Sequence, residues 1–279
     1  MIEFQSLSMA QWLGFSIALG LCIGSFLNVV AHRLPIMMER AWDAEMAAIQ
    51  EREPEEHPRF NLILPPSHCT ACKKPLKLWH NIPVLSYLLL RGRCGFCASP
   101  IGLRYPLVEL TCAALFAIVA WHLPPGLLAL GLMGFCATLL VLALIDLDTF
   151  LLPDSLTLPL LWAGLLFNLV TARVPLESAV TGAAVGYLIL WAIYKVFKAI
   201  TGKEGMGYGD FKLLAAMGAW LGVGALFDIV LIASVSGIFF GLGLQTLRGK
   251  GRNEAFPFGP CLVFGAFGHM AGLQLARWV

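Results

Sequence analysis

Residues 126–148 read GLLALGLMGFCATLLVLALIDLD, and the first twenty of them carry no charged side chain. An α-helix rises about 1.5 Å per residue, so twenty apolar residues cross the ~30 Å hydrocarbon core of a bilayer. This stretch therefore predicts a membrane-spanning helix whose last turn carries two carboxylates, Asp146 and Asp148.

Further apolar segments lie on both sides of this helix. The chain is 58% hydrophobic and 13% charged, whereas soluble domains are about 25% charged. Residues 211–247 would measure roughly 55 Å as one helix, so a break is expected at Gly222-Val223-Gly224. The predicted fold is an all-α polytopic membrane protein with about eight transmembrane helices, near residues 9–31, 105–122, 126–146, 155–172, 178–200, 210–222, 225–246 and 258–278.

Positive charge is concentrated in a polar insert between the first and second spans. Ten of the nineteen Lys and Arg residues lie between His32 and Arg104, and loops rich in these residues stay in the cytoplasm. The predicted domains are a first span at 1–31, a cytoplasmic insert at 32–104 and a seven-span membrane domain at 105–279, with both termini outside. The net charge of +2 and the lack of a long basic run exclude a nucleic-acid-binding function. The apolar spans are expected to contact membrane lipid.

The beginning of the insert, residues 35–58, is charged but has apolar residues at near-helical spacing. Met38, Trp42, Met46 and Ile49 would form one stripe of a helix. The pattern predicts a surface helix that packs on the rest of the insert or at the membrane interface.

Four cysteines in the insert form two CxxC pairs, Cys69 with Cys72 and Cys94 with Cys97, separated by twenty-one residues. This spacing is typical of a four-thiolate zinc site, which would stabilise an insert with little apolar core. A disulfide pair and a redox dithiol are alternatives, but cytoplasmic thiols stay reduced. His68 is an alternative ligand, although four thiolates already complete a tetrahedral site.

Two aspartates are expected to meet at the cytoplasmic edge of the membrane. Asp146 ends the apolar run above, and Asp210 follows the glycine-rich residues 205–209 at the start of another predicted span. Paired carboxylates can share one proton, activate water and protonate a leaving amine. Because a helix amino terminus favours negative charge, Asp210 is expected to act first as base and Asp146 as acid. The pair predicts aspartic proteolysis.

Each neighbouring carboxylate has a simpler explanation. Asp148 lies about 200° around the helix from Asp146 and should be solvated. Asp154 follows Pro153, where a helix-capping or dipole role is expected. Capping is also the alternative for Asp210, but the preceding glycines and the shortness of its span favour catalysis.

A different class of function is a transporter in which Asp146, Asp210 and Glu109 relay protons or cations and the zinc-bound insert is a regulatory lid. Such a protein needs a polar path to both membrane faces. The carboxylates instead cluster on one predicted side, which disfavours transport. A non-catalytic scaffold is a further alternative, and it leaves the glycine-rich segment before Asp210 unexplained.

Several motifs together resemble the type IV prepilin peptidase family of bacterial GxGD-type membrane aspartyl proteases, nearly end to end. They are Gly24-Ser25-Phe26-Leu27-Asn28-Val29, the two CxxC pairs, Arg104-Tyr105-Pro106 with Glu109, Ile145-Asp146, Gly207-Tyr208-Gly209-Asp210-Phe211-Lys212 and Pro257-Phe258-Gly259-Pro260.

The resemblance implies an inner-membrane enzyme that removes the leader of type IV prepilins and type II secretion pseudopilins at the cytoplasmic face. It further implies methylation of the new amino terminus with S-adenosylmethionine. Asp146 and Asp210 match the family's catalytic aspartates, and the four insert cysteines match its metal ligands. Gly92 is the residue expected to support methyl transfer, with a plain turn glycine as the alternative. Asn28 and Glu109 either line the site or make interhelical hydrogen bonds.

Overall fold

The computed structural model describes residues 7–53, 57–203, 205–248 and 256–274. The described residues form helices joined by short loops, except in the insert between Ile49 and Arg104, which is mostly loop; they contain two isolated β-bridges but no strand. The α-helices are α1 (Met9–Ile49), α2 (Leu85–Leu89), α3 (Arg104–His122), α4 (Leu127–Thr149), α5 (Asp154–Thr171), α6 (Leu176–Thr201), α7 (Tyr208–Leu221), α8 (Ala225–Arg248) and α9 (Gly259–His269).

Six of these helices, α1, α3, α4, α5, α6 and α8, are long and apolar enough to cross a membrane. Helices α7 and α9 coincide with two more predicted spans, but their 14 and 11 residues fall short of the ~20 that a full crossing needs. The all-α polytopic class is confirmed, and the number of eight spans stays a prediction. The expected break is present, because α7 ends at Leu221 and Gly222 turns the chain with a φ of +82°.

Helix α1 differs from its prediction. It runs without interruption through Pro35 to Ile49, so 41 residues form one helix of about 62 Å instead of a span followed by a separate surface helix. Residues 41–49 include four Ala, one Glu and one Met, which are strong helix formers and favour this continuation. Trp42, Met46 and Ile49 of the predicted stripe are exposed, at 47%, 46% and 74% respectively.

Residues 1–137 form one compact unit, in which α1 packs along α3. Close approach depends on two glycines of α1. A Cβ atom at Gly20 or Gly24 would lie 2.7 Å from the Cα of Ala113 or Glu109, respectively. Small residues bring membrane helices together in this way. The indole of Trp12 also donates a hydrogen bond to the Leu123 carbonyl at 3.0 Å.

Residues 138–279 form a second compact unit, organised around the short helix α7. Helix α7 packs against α5, α6 and α9, and almost every residue from Asp210 to Trp220 is buried. The Nδ2 of Asn168 donates to the Ala219 carbonyl at 2.9 Å, and the indole of Trp220 donates to the Leu160 carbonyl at 2.8 Å. These bonds tie the carboxyl end of α7 to α5, and Asp210 lies in the first turn at the opposite end of the same helix.

Candidate active site and candidate metal centre

Asp146 lies near the carboxyl end of α4 and is only 5% exposed. Its Oδ2 accepts a hydrogen bond from the backbone N–H of Gly259, the first residue of α9, at 2.9 Å. A Cβ atom at position 259 would stand 2.7 Å from the same oxygen. Only glycine therefore allows this approach without a shift, which gives residue 259 of the Pro257–Pro260 motif a physical role.

Asp210 lies in the first turn of α7, after the N-cap residue Gly207, and is 7% exposed. Its Oδ1 is buried and has no hydrogen-bond partner among the described residues. Gly209 packs against Leu152, where a Cβ atom would come within 2.8 Å of the leucine Cβ. A buried, unpaired carboxylate oxygen in a native fold calls for an explanation, and a reacting water is one.

The structure brings the two predicted aspartates together. Their charges interact, and both charges act on the thiol of Cys261 in α9. Two buried carboxylates in proximity share a proton, because a second negative charge beside the first is unfavourable. This arrangement can abstract a proton from water and donate one to a leaving group.

Cys261 is a neighbour of the two aspartates that the sequence motifs did not single out. It is buried and lies two residues after Gly259, in the segment that contacts Asp146. Its place in the sequence directly after the Pro257–Pro260 motif was the available signal.

The other two carboxylates of the cluster lie in different environments. Asp148 is exposed, as its helical position predicted. Asp154 opens α5 in the expected first-turn position, and both of its oxygens also accept hydrogen bonds from Lys212 at 2.7 Å. This ion pair joins the starts of α5 and α7, two residues beyond Asp210.

The four insert cysteines converge as the spacing predicted. Their Sγ atoms all lie within 4.8 Å of one another, and those of Cys69 and Cys97 are 3.9 Å apart. Tetrahedral zinc with ~2.3 Å Zn–S bonds requires sulfur atoms about 3.8 Å apart, so the donor set fits that ion. His68 is exposed and lies outside the cluster, with its Nδ1 near the Pro66 carbonyl.

The two CxxC pairs occupy similar turns. The N–H of Cys69 donates to Lys74 and that of Cys94 donates to Ser99, and bridges join His68 to Pro75 and Arg93 to Pro100. Backbone N–H groups of Cys72 and Ala71 lower the pKa of the Cys69 thiol to about 6. Hydrogen bonds from Ser99 lower the pKa of Cys97. Metal binding needs thiolates, and the turns favour this form at Cys69 and Cys97, whereas desolvation and the neighbouring thiols raise the pKa of Cys72 to about 11.

Gly92 lies in a turn just before the second CxxC pair. Its φ is +67°, a conformation that glycine adopts readily. Its N–H donates to the Tyr87 carbonyl at 2.9 Å, and a Cβ atom would lie 2.8 Å from the Tyr87 hydroxyl oxygen. A side chain at position 92 would therefore be strained and would press on the Tyr87 hydroxyl.

Comparison with known proteins covers most of the chain. The bacterial peptidase A24 N-terminal domain matches residues 18–123, and the type IV leader peptidase family matches residues 133–242. A protein of Aeromonas salmonicida named prepilin leader peptidase/N-methyltransferase is 51% identical over 273 residues, covering 96% of this chain and 94% of its own length. Proteins of the same name from Burkholderia pseudomallei strain 1026b and Neisseria gonorrhoeae are 52% and 48% identical, over 94% and 88% of this chain and 86% and 85% of their own lengths.

No solved structure matches the chain. The two matched domains and the relatives at about half identity, extending over nearly the whole sequence, confirm the resemblance drawn from the motifs, and the chain belongs to the type IV leader peptidase family.

Proposed function

We propose that this protein cleaves the leader peptide of type IV prepilins and type II secretion pseudopilins with Asp146 and Asp210, and then methylates the new amino terminus with S-adenosylmethionine. One observation carries the peptidase proposal: two buried aspartates from separate helices interact, and an oxygen of Asp210 has no partner among the described residues. The names of the relatives support both activities.

In the proposed cleavage, the unpaired oxygen of Asp210 takes a proton from water. The water oxygen then bonds to the scissile carbonyl carbon, and Asp146 gives its proton to the amide nitrogen as the C–N bond breaks. The N–H of Gly259 holds the Asp146 carboxyl group in position throughout. The glycines before Asp210 leave room for an extended substrate backbone beside the acid.

Methylation has its own chemical requirements. The lone pair of the new terminal amine bonds to the methyl carbon of S-adenosylmethionine while the C–S bond breaks, its electron pair remains on sulfur, and the nitrogen loses a proton to solvent. We propose that Gly92 supports this step through the turn that positions Tyr87.

We also propose that Cys69, Cys72, Cys94 and Cys97 hold zinc in a closed structural site. Bound there, the ion supplies a cross-link between two turns that are far apart in the sequence. The turns themselves supply the thiolates and the backbone N–H groups that stabilise them. Such a cross-link suits an insert whose loops have few buried apolar residues.

The protein is a multi-pass protein of the bacterial inner membrane. Within it, we propose a first span at 1–31, a cytoplasmic insert at 32–104 and a membrane domain at 105–279, with both termini periplasmic and the active site at the cytoplasmic side. The distribution of Lys and Arg supports this orientation. The family assignment does not support the transporter alternative.

The test uses the full chain purified in detergent, a prepilin and labelled S-adenosylmethionine, with leader loss and label transfer followed by mass. Asp146→Asn and Asp210→Asn should abolish cleavage, and both should still methylate a pre-cleaved pilin. Asp148→Asn, an exposed neighbour on the same helix, is the matched control and should cleave normally. Cleavage by both dyad variants would contradict the aspartyl-peptidase mechanism.

A further inference from the structure

A cavity of about 280 Å³ lies within the first compact unit, between α1, the insert and α3. Its size is near the lower end of the ~300–1,000 Å³ typical of small-molecule sites. Cys69 and Cys94 of the metal cluster lie on its wall, together with Ser25 and Asn28 of α1. The cavity is therefore a defined part of the cysteine-containing unit.

Two buried charged side chains of opposite sign line this cavity. Glu109 of α3 and Arg33 of α1 are each only 7% exposed. The Oε2 of Glu109 accepts a hydrogen bond from the N–H of Val84 at 2.8 Å, and Arg33 donates to the carbonyls of Asn61 and Pro65 at 2.9 and 2.7 Å. Neither side chain forms an ion pair with any residue that the structure describes.

A buried charge without a countercharge is costly in the empty protein, and a ligand that brings the missing charge removes that cost. A cavity with one buried carboxylate and one buried guanidinium suits a small molecule that carries both signs. S-adenosylmethionine has a sulfonium, an α-ammonium and a carboxylate.

Aromatic side chains in the cavity wall also suit S-adenosylmethionine. Phe60, Tyr87 and Tyr105 line the same cavity, and aromatic faces bind both cations and flat heterocycles such as adenine. The turn at Gly92 joins two wall residues, since its N–H donates to Tyr87 and its carbonyl accepts from Ile101 at 2.8 Å. This link explains how a residue of the turn can influence a ligand in the cavity.

We propose that this cavity binds S-adenosylmethionine, with Glu109 as the countercharge of its cationic part and Arg33 on the wall that receives its carboxylate. The inference rests on the methyltransferase half of the proposed function and assigns that half a site. Glu109 also holds Val84, whose φ of +58° is unusual for a β-branched residue. The test must therefore separate binding from support of the backbone.

The decisive variant is Glu109→Gln, which removes the charge and keeps an oxygen that accepts from Val84. Equilibrium dialysis of the full chain with labelled S-adenosylmethionine should show at least ~10-fold weaker binding, since losing one partner of a buried charge pair costs much more than a surface contact. Glu45→Gln, which removes an exposed carboxylate of α1 in the same unit, should bind like wild type. Wild-type affinity in Glu109→Gln would overturn the proposal.

Two further measurements test the binding site even if Glu109→Gln is unstable. Glu109→Asp keeps the charge and should retain more affinity than Glu109→Gln at equal thermal stability. Ultraviolet cross-linking of labelled S-adenosylmethionine to the wild-type chain, mapped by mass spectrometry, should label peptides within residues 25–109. Labelling confined to residues 138–279 would overturn the site. A wild-type chain that neither binds nor transfers the methyl group would instead refute the methyltransferase function itself.

Discussion

Gly259→Ala should impair peptide cleavage by displacing Asp146. The new Cβ atom would stand 2.7 Å from the Asp146 Oδ2 and 3.2 Å from its Cγ, closer than side chains pack, so the carboxyl group or the start of α9 must move. That movement breaks the 2.9 Å hydrogen bond from the Gly259 N–H. A hydrogen bond to a charged group contributes about 1.5–3 kcal/mol. Loss of that amount from the transition state lowers kcat/KM by roughly 10- to 150-fold.

The assay is the initial rate of leader removal from a purified prepilin, with thermal unfolding of each sample as the folding check. Gly237→Ala is the matched control, because its Cβ atom would meet the nearest atoms, including Cys261 Sγ, at an ordinary 3.7 Å. We expect the control to cleave at the wild-type rate. Wild-type kcat/KM in Gly259→Ala would show that the bond to Asp146 does not position the acid and would refute this reasoning.

Three other predictions concern different parts of the molecule. Gly92→Ala should reduce methyl transfer to a pre-cleaved pilin more than it reduces leader cleavage, because its φ of +67° and the nearby Tyr87 hydroxyl oppose a side chain; Gly126→Ala, with open space around it and away from the cavity, is the control. Cys72→Ser should lower the zinc content of the protein, measured by elemental mass spectrometry, and make the insert more sensitive to protease. A wild-type zinc content in this variant would contradict a four-thiolate site. Trp220→Phe should lower the unfolding free energy by about 1 kcal/mol through loss of the 2.8 Å bond from its indole to a carbonyl of α5, a change visible as a lower melting temperature in detergent.

Local patterns predicted much of the fold. The uncharged run before Asp146 and the similar runs around it identified membrane helices, because burial in lipid constrains every residue of such a segment. The glycines at 222 and 224 predicted the end of α7, and the positive φ of Gly222 interrupts the helix there. The limit of local patterns appears in α1, where the charged residues of the insert predicted a separate surface helix but strong helix formers continue the first helix to Ile49.

The sequence predicted which residues form the candidate sites better than it predicted which residues contact them. The CxxC spacing alone identified the cysteine cluster, because each pair is a local turn and thiolates in such turns favour one ion. Asp146 and Asp210 were identified by their positions at the ends of apolar segments. Cys261 was not, since a cysteine in an apolar span is ordinary and its position beside the two aspartates depends on how α9 packs.

The sequence by itself determined the membrane class, the cysteine cluster and the pair of candidate aspartates. Each of these features depends on residues that are neighbours along the chain or that repeat at a regular spacing. Only the tertiary structure decided the partner of each charge: Gly259 for Asp146, 113 positions away, and Lys212 for Asp154, 58 positions away. It alone placed Glu109 and Arg33 on one cavity. Such contacts depend on the packing of distant helices, and hydrophobic periodicity specifies which faces are buried without specifying which residues meet there.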